Sequence, residues 1–147
     1  MGIQAQKVPF CRKRLFIGFI FIFFSLQVCS SDFTPQLEWI KKKGLATKKF
    51  TEEEFKVLKH YLYELLKKDI RKEDIYAILT YFSQADLGFR ESLILLEEII
   101  ALLEVKNVSS KKLRNFISRK IKIAKINARL GRDLVLFLIE EIRKLRR

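Results

Sequence analysis

The sequence predicts an all-α fold, a bundle of about five short helices behind an N-terminal hydrophobic leader. Three observations carry that expectation. Apolar residues recur at three- and four-residue steps in segment after segment, the spacing of a helix face. No run alternates apolar and polar residues as a half-buried strand would. Hydrophobic residues make up 49% of a 147-residue chain, which allows one core and argues against intrinsic disorder.

Residues 1–30 form the leader. Lys7, Arg12, Lys13 and Arg14 precede a stretch from Leu15 to Leu26 that is apolar except for Gly18 and Ser25. No acidic residue occurs before Asp32. A charged start, an apolar stretch and a small-residue exit describe an export signal. The 14 residues from Leu15 to Val28 fall short of the roughly 20 that span a bilayer.

The exit leaves three outcomes open. Leu26-Gln27-Val28-Cys29 resembles the lipobox of bacterial lipoproteins, which implies lipidation at Cys29. It departs from that pattern at Val28, where Gly, Ala or Ser is usual. Cleavage after Ser30 is the second outcome, and an uncleaved anchor the third. Basic flanks collect on the cytoplasmic side, so the rest of the chain is expected outside: in the envelope, periplasm or medium. Lys41, Lys42 and Lys43 blunt that bias.

Residues 31–147 are expected to form a single helical domain. Thr34-Pro35 opens a short helix, since Thr caps and Pro fits the first turn, and Gly44 is expected to stop it. Trp39 is expected to pack on the domain, with a seat among lipid headgroups as the alternative. Thr51 and Glu54 have the spacing of a capping box, and Phe50 with Phe55 that of a hydrophobic staple. Phe55, Leu58, Leu62, Leu65 and Leu66 then mark a core-facing helix to Lys68. Ile75, Ile78, Leu79 and Phe82 mark the next. The helix from about Arg90 to Glu104 carries Leu95 and Leu102 as a second apolar flank, which predicts a central, buried place. Asn107-Val108-Ser109 connects, matching the N-glycosylation triplet, with Ser109 or Ser110 as cap. A basic helix follows over Lys111–Arg132, then a last one from Asp133 through Leu145.

Chemistry is sparse in the body. Both cysteines, Cys11 and Cys29, lie in the leader, so the body has no disulfide, thiolate ligand or thiol nucleophile. His60 is the sole histidine and lacks the clustered partners that metal binding or acid–base catalysis needs. Single, scattered glycines make no phosphate loop. No catalytic residue, metal, cofactor or small-molecule substrate is expected, and the chain is not expected to be an enzyme.

Charge is the informative feature. Asp32–Glu104 carries 12 Lys/Arg against 14 Asp/Glu, whereas Val105–Arg147 carries 14 against 3. A basic C-terminal half beside a near-neutral one points to a polyanion or a membrane surface. At about 100° per residue, Lys111, Arg114, Lys122, Lys125, Arg129 and Arg132 share one face, the candidate anion- or lipid-binding residues. Leu113, Phe116, Ile117, Ile121, Ala124 and Leu130 fall opposite.

Three readings apply to that face. It is a solvated ridge partly neutralised by Glu91, Glu97, Glu98 and Glu104, or it attracts anionic headgroups at about 1 kcal/mol per cation, or it contacts nucleic-acid phosphates. The expected role is structural or binding, in an exported, envelope-associated protein whose partner is a membrane, with a protein partner also open. A membrane-anchored nucleic-acid binder is the alternative.

Overall fold

Six helices and no strand occupy the described residues, 32–147, of the structure, a computed structural model. Lipidation at Cys29, cleavage after Ser30 and a retained anchor concern residues outside that range. The helices are α1 (Thr34–Ala46), α2 (Glu52–Lys67), α3 (Lys72–Gln84), α4 (Phe89–Val105), α5 (Ser110–Ile126) and α6 (Gly131–Arg146). The all-α expectation holds. The number is six among these residues rather than about five, because the opening segment is a full 13-residue helix.

Gly44 does not stop α1. It is buried inside the helix with the Phe50 ring directly against it, where a Cβ would overlap the ring. Phe50 in turn stacks on Phe55, ring centres 5.7 Å apart. The capping box forms as expected: Glu54 N–H donates to Thr51 Oγ1 and Thr51 N–H to Glu54 Oε1, both at 3.1 Å. Local sequence thus sets the α1–α2 corner through a reciprocal cap and a staple.

Packing follows second neighbours. α1 lies on α3 and α3 on α5, while α2 lies on α4 and α4 on α6. Odd and even helices therefore form two layers, linked by α1–α2, α2–α3 and α5–α6 contacts. Within Phe33–Arg147, which is one compact unit, the apolar faces merge into one core. α4 holds the central place its composition predicts, with Leu95, Leu96, Ile99 and Leu102 fully buried.

The first helices of the three pairs begin at Thr34, Lys72 and Ser110, 38 residues apart. Leu37, Ile75 and Leu113 are equivalent in that spacing, and all three are buried. In the second helices Leu58, Leu96 and Leu134 recur at the same spacing and are buried too, while positions such as Gly44, Phe82 and Lys120 diverge. Helix pairs that stack on their neighbours are a recurring all-α arrangement.

α1, α2, α3 and α5 end alike. Lys48, Asp69, Asp86 and Ala128 adopt left-handed φ of 55°, 64°, 60° and 57°. Each amide returns to the third-last carbonyl before it and the next amide to the one preceding, as in Ala128 N–H to Lys125 O at 3.0 Å and Arg129 N–H to Ala124 O at 2.8 Å. This is the Schellman closure, normally given to glycine. α5 therefore ends at Ile126, and the expected continuous helix to Arg132 is corrected: Ala128 turns the chain, and α6 begins at Gly131 rather than Asp133.

Candidate functional site

One carboxylate organises the basic half. Asp74, in the first turn of α3, is fully buried, the single buried charged side chain among the described residues. Ser110 Oγ donates to its Oδ2 at 2.6 Å, and Arg71 Nε donates to the same oxygen at 3.0 Å. Arg114 Nη1 donates to Oδ1 at 2.9 Å. Arg71 N–H donates to Ser110 Oγ at 2.9 Å. Burial pushes the Asp74 carboxyl up, but the hydrogen bonds from Ser110 and Arg71 and the charges of Arg71 and Arg114 outweigh it, leaving it below the ordinary value. This clasp aligns the start of α5 with the start of α3, and Lys125 Nζ donates to Gln84 O at 3.1 Å near the other end.

The clasp sorts the six sequence-predicted cations. Arg114 turns inward and is taken by Asp74, and Lys125 reaches back to α3. Lys111 and Lys122 are exposed on α5 and make no ion pair or side-chain hydrogen bond among the described residues. Arg129 and Arg132 are not on α5: Arg129 lies in the α5–α6 corner with its guanidinium 5.0 Å from the Phe137 ring centre, and Arg132 opens α6. Leu130 is not part of the core face. It is 66% exposed, because the chain has turned before reaching it.

Sequence reasoning left out four residues of the outward face. Lys112 and Arg119 are exposed and, like Lys122, carry no ion pair among the described residues. Ile123 and Ile126 are exposed beside them, Ile126 at 83%. Burial of Leu113, Ile117, Ile121 and Ala124 points the opposite stripe out. Ile126 follows Lys122 by four residues and Arg119 by seven, so the three lie on one line along the helix. The signal was present: Ile123 and Ile126 do not share the spacing of the buried set.

Glu98, one of the acids expected to neutralise this ridge, is engaged elsewhere. Glu98 accepts from Arg143 Nε and Nη2 at 2.8 and 2.7 Å, with Arg146 at 4.0 Å, clamping α4 to α6. That hydrogen bonding holds Glu98 below its ordinary value despite partial burial. Glu141 is lowered by its hydrogen bonds with Lys120 and Lys144 against partial burial, and so ties α6 to α5. Between Val105 and Arg132 the chain has no acidic residue.

Other candidates have structural places. Ser109 caps α5, its Oγ accepting from Lys112 N–H at 3.4 Å, which frees Ser110 for the clasp. Trp39 packs on the domain, edge-on to Tyr76, with Lys43 and Lys72 each 5.2 Å from its ring centre. His60 is exposed beside Tyr61. Among the described residues, no group of three or more His, Cys, Asp or Glu side chains could hold a metal ion. Among them too, no helix is long and apolar enough to cross a membrane. Comparison of the chain with protein-family models, curated proteins and solved structures finds no match.

Proposed function

We propose an exported, envelope-associated helical protein with a structural or binding role rather than a catalytic one, which docks on an anionic membrane surface through the outward face of α5. The export part rests on the leader. The docking part rests on one observation: Lys111, Lys112, Arg119 and Lys122 face outward along one helix without an acidic partner among the described residues. Each cation near an anionic leaflet contributes about 1 kcal/mol. A handful gives docking that is weak, reversible and sensitive to salt, because exposed charges are screened within about 10 Å at 0.1 M ionic strength.

The unit Phe33–Arg147 has its own core and suits a direct test. It is expected to co-sediment with phosphatidylglycerol-containing vesicles at low salt, to release at moderate salt, and to ignore pure phosphatidylcholine. Arg119→Glu with Lys122→Glu should abolish co-sedimentation while leaving the circular dichroism spectrum unchanged. Duplex DNA is the parallel arm. Binding to DNA without binding to vesicles would replace this reading with the membrane-anchored nucleic-acid binder. Binding to neither would refute both.

A further inference from the structure

We infer that the last turn of α5 and the corner after it form an apolar tip that inserts into the anionic bilayer on which α5 docks, an inference that rests on the docking proposed above. α5 has 17 residues where α1 and α3 have 13. The last turn of α5, residues 123–126, stays on the body at the end of α3, with Ala124 fully buried and Lys125 Nζ donating to Gln84 O, while Ile123 and Ile126 face outward.

What that turn carries on its outer side is unusual. Ile123 is 37% exposed, Ile126 83%, and Leu130, just past the corner, 66%. None belongs to the core or to the apolar residues packed against it. Ile123 and Ile126 lie three apart and so neighbour each other on the helix surface. Lys122, Lys125, Arg129 and Arg132 are interleaved with them in sequence, without one acid.

Exposed branched side chains ringed by cations suit one occupant best. A protein groove that took the isoleucines would need acidic walls to match. DNA would meet the cations but leave the apolar tip in water. An anionic bilayer satisfies both, since headgroups meet Lys and Arg while the tip enters the acyl boundary. Interfacial helices bury their apolar face about 5–10 Å deep.

The test separates insertion from docking. The Phe33–Arg147 unit contains no cysteine, so Ile126→Cys or Asn115→Cys, the latter at an exposed uncharged position of α5, labelled with an environment-sensitive fluorophore reports a single position. With phosphatidylglycerol vesicles, a label at 126 is expected to shift blue and to be quenched by lipids brominated in the acyl chain. A label at 115 should stay water-like. Ile126→Ser with Leu130→Ser should weaken vesicle binding about tenfold or more, the scale of two large apolar side chains, with duplex binding and circular dichroism unchanged.

If that double variant binds vesicles like the parent and the label at 126 stays in water, insertion is overturned while charge docking stands. If the parent unit binds no anionic vesicle, docking and insertion fall together. Blue shift at both positions would also overturn the tip, because the whole face would then be lying in the interface.

Discussion

Asp74 shows how a single side chain sets the geometry of the basic half. Its carboxylate sits out of water among three donors, two of them guanidinium groups. Its guanidinium partners still reach water, so removing the carboxylate forfeits charged hydrogen bonds worth about 2 kcal/mol rather than stranding a buried charge. Asp74→Ala should lower unfolding stability by about that much in urea titrations near neutral pH. The carboxyl is held below its ordinary value, so its contribution is complete above the unfolded value of about 3.9 and vanishes as pH falls through the lower folded value. Glu98 and Glu141 are shifted in the same direction. Stability should therefore be level from neutrality to about pH 5 and drop below about pH 4. Asp74→Asn should flatten part of that acid limb; an unchanged limb would contradict the assignment. The local sequence shows only an ordinary i,i+3 pair of Arg71 with Asp74, because the two partners that complete the clasp, Ser110 and Arg114, come from a distant helix.

At the level of elements, α1 makes the sharpest forecast. Replacing a mid-helix glycine ordinarily stabilises a helix by up to about 1 kcal/mol. Gly44 should behave oppositely, because the Phe50 ring fills the space a side chain would take. Gly44→Leu is expected to cost about 2 kcal/mol, the range of core overpacking. Phe50→Ala with Gly44→Leu should recover part of the loss in a double-mutant cycle. Helix beginnings were legible in the sequence: the cap at Thr51, the staple at Phe50 and Phe55, and the serine before α5 all stand where their spacing put them. Helix ends are legible only in part. α2 ends at Lys67, one residue from the expected Lys68, but the turns at Lys48 and Ala128 carry no glycine, and the sequence alone puts those two boundaries at Gly44 and Arg132 instead. The α5 error propagated into the site, assigning Arg129, Arg132 and Leu130 to a helix that had already ended. Lys112, Arg119, Ile123 and Ile126 lie on the flank of the predicted face, and only the burial of Leu113, Ile117, Ile121 and Ala124 shows that this flank points outward.

Across Phe33–Arg147, the layers are held by contacts between helices two apart in the chain. Composition and periodicity were enough for an all-α class and one core. They did not reveal the stacking, although Leu37, Ile75 and Leu113 in the first helices and Leu58, Leu96 and Leu134 in the second recur at 38 residues, because apolar residues are spaced so densely in every helix that this period does not stand out. The four left-handed corners bear on how this unit folds. A non-glycine residue there costs about 1–2 kcal/mol, and three of the four corners join the two helices of a pair. No hairpin can recover that cost alone, since most of each helix's apolar face is covered by a different hairpin. Synthetic peptides spanning residues 33–68, 71–106 or 109–147 should each give a coil-like far-ultraviolet spectrum in water, whereas the intact unit should melt in one step. The chain is thus committed to all or nothing: its thirds become structured only in one another's company.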